Sequence, residues 1–311
     1  QEIIKIGEEM VEFAKFTIQI LNDVVLANKA YLEMILSDAY AHQTYNMGLV
    51  DANNRVNFYD GMVRVTAPDG SEHAKYEPKD YLQYVEERVE PYSYLKYPYL
   101  KKVGWKGFVD GMESGVYKAT PLARLNVAEG MATPLAQAEY ERYFETLTGD
   151  RSGKIPVNST LATHWARVVE LMFACEATLE QAKDEEITSD HILEPPTNIV
   201  GEGVGIVEAP RGTLTHHYKT DQNGIVTEAN LIVGTTNNNA PITMSIKRAA
   251  EGVIKKGVAI TDGMLNRIEM AFRAYDPCFG CATHSLPGEM PLEIIVHDSE
   301  SGEVVQTARR Q

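Results

Sequence analysis

Residues 276–284 read Asp276-Pro277-Cys278-Phe279-Gly280-Cys281-Ala282-Thr283-His284. The two cysteines are three positions apart, so their thiols can reach one metal ion or pair with each other. Proline disfavours helix at the residue before it, so the helical pattern that precedes this stretch is expected to end at Asp276. The cysteines would then lie at a helix end, where side chains from several elements can converge.

The spacing of this motif is compatible with more than one chemistry. A c-type haem site requires His directly after the second cysteine, and here two residues intervene. A thioredoxin-like pair follows a strand and precedes a helix, whereas here a helical pattern precedes and Pro287-Gly288 follows. A structural zinc site needs four ligands, and Cys278, Cys281 and His284 supply at most three. A metal site and two small buried thiols both remain open.

Composition excludes several classes of protein. The 311 residues carry 29 Lys and Arg against 44 Asp and Glu, a net charge of −15, which disfavours a nucleic-acid partner. A chain of this length buries roughly 75% of its unfolded surface and needs no disulfide scaffold. The odd count of three cysteines also argues against a secreted disulfide framework. With no apolar run near 18 residues, no membrane span is expected, and we expect a cytoplasmic protein.

The hydrophobic pattern predicts a mainly α fold with small β insertions. An Asp-Gly pair at 60–61 predicts a hairpin over 56–65, and strands are expected at 205–208 and 231–233 around a turn at 221–224. Apolar residues at helical spacing predict a helix over 2–34, a second helical stretch over 31–36, and helices over 135–147, 161–182, 241–255 and 263–275.

Residues 76–105 contain seven tyrosines and three prolines. Aromatic rings interleaved with lysines could form a nucleic-acid platform. The acidity of the chain favours instead a long irregular segment that packs its rings onto the core or onto a partner protein.

Two polar stretches upstream are further candidates for a site. In Glu208-Ala209-Pro210-Arg211-Gly212, proline and glycine constrain the backbone on either side of Arg211. Arg211 could therefore offer a planar cation to an anionic ligand, or form an ordinary salt bridge. The row Thr235-Thr236-Asn237-Asn238-Asn239 is either a capped turn or a set of neutral hydrogen-bond donors at the end of a strand.

Taken with the run Pro121-Leu122-Ala123-Arg124-Leu125-Asn126, these segments resemble the large subunit of nickel–iron hydrogenases over essentially the whole chain. The local sequence around these motifs is most similar to the cytoplasmic multisubunit branch of the family, and within that branch to the coenzyme F420-non-reducing (methyl-viologen-reducing) type. F420-reducing and NAD(P)-linked enzymes of that branch, and a non-catalytic hydrogenase-like subunit of an electron-transfer complex, are the alternatives.

The resemblance implies a helical large-subunit core and a nickel–iron centre whose iron carries cyanide and carbon monoxide. It makes Cys278 a terminal nickel ligand and proton acceptor, and Cys281 a bridging ligand. Pro210 and Arg211 would lie over the centre, with Arg211 donating to one cyanide and Thr235 to the other. Asp276 would pair with Arg211. A magnesium (or iron) site would take His284 and the backbone carbonyl of Leu231.

The resemblance also implies partners: a small subunit with iron–sulfur clusters, a further electron-transfer subunit, and a maturation endopeptidase that cuts after His284. We therefore expect residues 1–284 to be a partial large-subunit domain and residues 285–311 a removable extension, containing a hairpin around Ser301-Gly302.

The family's other Cys-x-x-Cys and its N-terminal glutamate have no counterpart, and the sequence begins at Gln1. These departures suggest a C-terminal portion that holds half of the metal ligands and is inactive alone. Cys175, amid apolar helical neighbours, is expected to pack in the core.

Overall fold

The computed structural model describes residues 1–194, 198–282, 292–298 and 300–310. Within them the chain is mainly α with small β-sheets, so the predicted fold class is confirmed. The helices are α1 Glu2–Ile20, α2 Lys29–Ile35, α3 Tyr81–Tyr84, α4 Pro121–Val127, α5 Pro134–Thr148, α6 Thr163–Ala182, α7 Asn239–Val253, α8 Asp262–Arg273 and α9 Phe279–Ala282. Among the described helices, none is both long and apolar enough to cross a membrane.

The helical part of the core forms around α6, which packs against α1, α4 and α5. Trp165, Val169 and Met172 of α6 are buried together with Tyr143 and Phe144 of α5. Burial of these large apolar side chains is the main stabilising contribution of this layer. Cys175 lies in the same cluster, so the expectation that it packs in the core is confirmed.

The helix predicted over residues 2–34 is interrupted. The α-helical hydrogen bonding of α1 ends at Ile20, a π-helical segment follows over Leu21–Leu26, and α2 starts afresh at Lys29. Asn28 caps α2, because its side chain accepts a hydrogen bond from the Ala30 N–H at 3.0 Å. The second helical stretch predicted over residues 31–36 corresponds to α2, whereas the π-helical segment and the cap at Asn28 were not predicted.

The strands are β1 Tyr45–Val50, β2 Met62–Thr66, β3 Glu72–Tyr76, β4 Val85–Val89, β5 Lys96–Leu100, β6 Tyr117–Lys118, β7 Glu202–Ala209, β8 Gly212–Thr220, β9 Val226–Ile232, β10 Leu292–His297 and β11 Val304–Arg310. The first sheet has the strand order β3-β2-β1-β6, with β6 parallel to β1 and the other neighbours antiparallel. Its β6 strand leads directly into α4, which covers the sheet.

The hairpin turn predicted at Asp60-Gly61 is wrong in its position. This pair ends a long connection between β1 and β2, and the tight turn lies between β2 and β3. Gly61 is required there by close approach, because a Cβ on it would lie 2.3 Å from the Val50 carbonyl oxygen.

The tyrosine-rich segment was predicted to be irregular, and this is wrong for part of it. Strands β4 and β5 form an antiparallel hairpin within the segment. The expectation that rings pack inward is correct for Tyr76, Tyr81 and Tyr97, which are buried. Tyr92 and Tyr94, at the tip of the hairpin, are exposed.

The sheet that carries the arginine segment has three antiparallel strands, β7-β8-β9, where the sequence predicted two. The missed strand, β8, contains two histidines and several threonines among its nine residues and so shows little apolar alternation. The predicted turn at 221–224 is present and joins β8 to β9. The predicted C-terminal hairpin is also present, as the antiparallel pair β10–β11.

Candidate metal centre

Arg211 lies in the two-residue loop, Pro210-Arg211, that joins β7 to β8 between the paired residues Ala209 and Gly212. We call it the arginine loop. Gly212 has φ +152°, and a Cβ on it would lie 2.4 Å from the Ala119 oxygen and 2.6 Å from the Gly234 oxygen. Only glycine therefore allows this loop to seat against the end of β6 and the segment after β9.

Two asparagine amides hold this arrangement together. Asn238 Nδ2 donates to the Arg211 oxygen at 2.9 Å, and Asn238 Oδ1 accepts from the Ala119 N–H at 2.9 Å. Asn237 Nδ2 donates to the Thr213 oxygen at 2.6 Å. Both asparagines are buried, and their side-chain hydrogen bonds hold the arginine loop against the segment that follows β9.

Beneath the loop lies a buried charge cluster centred on Arg124 of α4. Its guanidinium donates to both carboxylate oxygens of Glu170, at 2.6 and 2.7 Å, and to Glu208 at 2.9 Å. It also reaches the Ala209 oxygen at 3.0 Å and the Pro210 oxygen at 3.4 Å. Burial opposes the charge, but the two carboxylates outweigh it and raise the pKa of Arg124, so the guanidinium stays protonated.

The cysteine motif meets the arginine loop at Asp276. Arg211 Nε donates to the Asp276 carbonyl oxygen at 2.6 Å and lies 3.2 Å from its carboxylate Oδ2. Asp276 has φ +48°, a left-handed conformation that turns the chain sharply after α8 and directs it towards Cys278. Arg211 therefore contacts the backbone that positions the first cysteine.

Thr235 supplies the second contact to the motif. Its Oγ1 accepts a hydrogen bond from the Cys278 N–H at 3.1 Å, and the residue is buried. A hydroxyl donates as well as accepts, so the Thr235 O–H hydrogen remains to donate to a ligand beside Cys278.

The structure thus brings together Arg211, Pro210, Asp276, Thr235 and Cys278. Cys281 lies in α9, and only its backbone is described, while His284 lies outside the described residues. Leu231 is at the end of β9, paired with His216 and without a described contact to the cysteine motif. Among the described residues, no three His, Cys, Asp or Glu side chains converge on a common point.

Sequence reasoning missed the role of the Arg124 cluster, although Arg124 and Glu208 stand in the quoted motifs. One signal was available: Glu170 interrupts the apolar face of α6 with a carboxylate, and a buried carboxylate requires a cationic partner.

The donor chemistry around the motif fits a thiolate-bound transition metal. Thiolate is a soft ligand suited to nickel. A guanidinium and a hydroxyl next to Cys278 can stabilise negative charge on such a centre. Cys175, in contrast, is enclosed by apolar side chains, and burial raises the pKa of its thiol, which disfavours the thiolate form.

Comparison with known proteins agrees with this chemistry. A family model described as nickel-dependent hydrogenase matches residues 6–284. The chain is 48% identical over 309 residues to an iron-sulfur subunit of the F420-non-reducing hydrogenase of Archaeoglobus profundus, covering 99% of this chain and 62% of the relative. It is 38% identical over 305 residues to the beta subunit of the NAD-reducing hydrogenase HoxS of Cupriavidus necator, covering 97% and 59%.

A crystal structure of an NAD+-reducing [NiFe]-hydrogenase in the H2-reduced state superimposes with a TM-score of 0.76 and 33% identity, covering 90% of this chain and 58% of that one. The chain therefore spans about three fifths of the length of the relatives it matches.

Proposed function

The chain belongs to the nickel-dependent hydrogenase family, and on that premise we propose that it is part of the large subunit of an enzyme that oxidises H2 reversibly. Two observations at the cysteine motif carry this proposal: Arg211 pairs with Asp276, two residues before Cys278, and Thr235 accepts a hydrogen bond from the Cys278 N–H. A nickel–iron centre with cyanide and carbon monoxide ligands, when bound, would supply the redox chemistry that separates H2 into two protons and two electrons.

The chain's own residues would hold that centre and manage charge around it. Cys278 and Cys281 would supply thiolate ligands to that centre, and the Cys278 Sγ would also accept one of the protons from H2. Arg211, oriented by Asp276 and with Pro210 beside it, would donate a hydrogen bond to one anionic ligand of the centre. Thr235 would donate the hydroxyl hydrogen that its contact with Cys278 does not use. His284 and the Leu231 carbonyl are proposed for a magnesium or iron ion.

Electrons would leave through partner subunits. The relatives are themselves named as single subunits of larger hydrogenases, which supports a small subunit with iron–sulfur clusters and a further electron-transfer subunit. We favour heterodisulfide reductase in the cytoplasm as acceptor, because the 48% identical relative is F420-non-reducing. The 38% identity to part of an NAD-reducing hydrogenase favours a nicotinamide as the second candidate.

A chimera would test the proposed function. The matched region of the Archaeoglobus profundus relative is replaced by this chain and produced with partner subunits and maturation proteins. We expect nickel at about one ion per chimera and H2-dependent reduction of methyl viologen. Cys278→Ser should lose both, whereas Cys175→Ala should keep both. Nickel and activity retained by Cys278→Ser would refute the assignment.

The 311-residue polypeptide by itself has Cys278 and Cys281 as candidate thiolates, half of the set that the resemblance implies, so we propose that it is inactive alone. Stoichiometric nickel with H2 uptake in this polypeptide would overturn that proposal.

We also propose that an endopeptidase removes residues 285–311 after His284, which is where the family match ends. Intact-mass analysis of protein made with full maturation machinery should show a species ending at His284. A metal-loaded species that still ends at Gln311 would contradict the cleavage.

A further inference from the structure

Helix α6 carries a polar stripe towards the candidate metal centre. His164, Arg167 and Glu170 recur every three residues and so lie on one side of the helix. Glu170 holds Arg124, whose other end reaches the carbonyl oxygens of Ala209 and Pro210. Glu170 therefore faces the underside of the arginine loop, and Arg167 lies one turn before it on the same side of the helix.

Arg167 is the member of this stripe whose hydrogen bonding is incomplete. Its Nη2 is buried and has no hydrogen-bond partner among the described residues. Arg167 also forms no ion pair with any described residue, whereas Arg124 and Arg211 each have a carboxylate partner. A buried guanidinium nitrogen without an acceptor is costly, so a position of this kind calls for an explanation.

Charged groups of the arginine loop and of the cysteine motif act on Arg167. Burial lowers its pKa, the negative charges of Asp276 and Glu170 oppose that effect, and the positive charges of Arg124 and Arg211 add to it. Asp276 and Glu170 are already bonded to those other arginines. Neither carboxylate accepts a hydrogen bond from Arg167 Nη2, so this nitrogen is left to donate to another group at this corner.

We propose that Arg167 is an anion-binding residue of this site, whose Nη2 donates a hydrogen bond to an anionic ligand next to the Arg211–Asp276 pair. The inference rests on the proposed function in one respect: in the assembled enzyme, the anion is the negatively charged thiolate–metal centre. A planar guanidinium suits this task because it keeps its charge when desolvated and directs its donors.

Azide, a linear monoanion, is the probe for this site in the metal-free 311-residue chain. Thermal unfolding is followed with increasing sodium azide against sodium chloride at equal ionic strength. We expect azide to raise the Tm of the unaltered chain in a saturable way. Arg167→Gln should abolish this rise. Arg167→Lys, which keeps the charge without the planar fork, should shift the half-saturating azide concentration about tenfold upward.

Arg142→Gln is the matched control. Arg142 also packs against α6, over the Trp165 ring, but pairs with Glu139 away from the arginine loop. This variant should keep the full azide response at a lower starting Tm. An azide response that is absent in the unaltered chain, or unchanged in Arg167→Gln, would refute the proposal. If Arg167→Gln does not fold, an unchanged half-saturating concentration in Arg167→Lys refutes it equally.

The two proposals can fail separately, since the azide measurement contains no metal and the chimera measures nickel. A chimera without nickel, together with an azide response that depends on Arg167, would leave an anion site and remove the hydrogenase assignment.

Discussion

At the residue scale, the candidate site depends on how buried charges are compensated. Arg124 has a side chain only 1% exposed and binds two carboxylates and two backbone oxygens. A paired buried ion adds little over an apolar core, but removal of one partner leaves the other charges uncompensated. Arg124 is therefore the residue on which both the fold beneath Pro210 and the position of Arg211 depend.

We expect Arg124→Met to lower the free energy of unfolding by about 3–5 kcal/mol, because Glu170 and Glu208 would stay buried without a counter-charge. Urea unfolding measures the loss. Arg151→Met is the control, since Arg151 forms an exposed pair with Glu145 and should have almost no effect. Equal effects of the two substitutions would contradict the role given to the buried cluster.

Lys118 predicts a pH dependence of stability. Burial lowers its pKa to about 7, with the charge of Asp110 opposing, and its Nζ donates to the His42 oxygen at 2.8 Å. In the unfolded chain a lysine titrates near 10.4. Between these values the unfolded state binds a proton that the native state does not, so stability increases as the pH rises from about 7 to about 10.

The difference in unfolding free energy between the unaltered chain and Lys118→Met should therefore change by up to about 1.4 kcal/mol per pH unit in this window. Urea unfolding between about pH 7 and pH 9.5 checks this. A Lys154→Met variant, altered at an exposed lysine, should give a curve parallel to that of the unaltered chain. Parallel curves for Lys118→Met would show that Lys118 is not buried as a neutral amine.

At the scale of elements, three segments meet where the arginine loop seats: the β7–β8 turn, the end of β6 and the residues after β9. Gly212 and Asn238 make this contact possible, the first by having no Cβ and the second by bonding all three segments. Both residues act on Arg211 through the backbone, so a change in either should displace the guanidinium.

Gly212→Ala is expected to destabilise the chain by ~2 kcal/mol or more, because its Cβ would overlap two carbonyl oxygens at a left-handed φ. Thermal unfolding measures the loss. Gly203→Ala, on β7 of the same sheet, has open space around the new Cβ and should change little. A Gly212→Ala variant as stable as Gly203→Ala would show that the loop does not seat as closely as described.

Elements with strong periodicity were predictable. Residues 135–147 and 161–182 nearly coincide with α5 and α6, because their apolar faces recur at 3.6 residues. The residue at which α2 starts and the strand β8 were not predictable. The first depends on the cap at Asn28, and the second on pairing with two neighbouring strands that supply its hydrogen bonds.

At the scale of the whole molecule, the C-terminal hairpin is joined weakly to the remainder. Its strands β10 and β11 pair with each other. In its described hydrogen bonds to the remainder, Gln306 Oε1 accepts from the Ile260 N–H and Gln306 Nε2 donates to the Ile260 oxygen, both at 3.4 Å. Such contacts contribute little to the stability of the helical core.

A chain that ends at His284 should therefore unfold within about 2 °C of the 311-residue chain. Differential scanning calorimetry of the two polypeptides tests this, with Gln306→Ala in the longer chain as a milder comparison. A larger decrease in Tm would show that residues 285–311 stabilise the core, against their proposed role as a removable extension.

Side-chain types along the chain indicate where a metal could bind: they show the Cys278-x-x-Cys281 motif, Arg211 between Pro210 and Gly212, and the helical pattern around them. Side-chain type and spacing are local properties, so they can be read along the chain. Which of the buried charges are compensated follows from the fold alone. Arg124 with its two carboxylates, and Arg167 with a buried nitrogen that lacks a described partner, owe their character to residues distant in the chain. Burial and partnership are properties of packing, and spacing along the chain does not encode them.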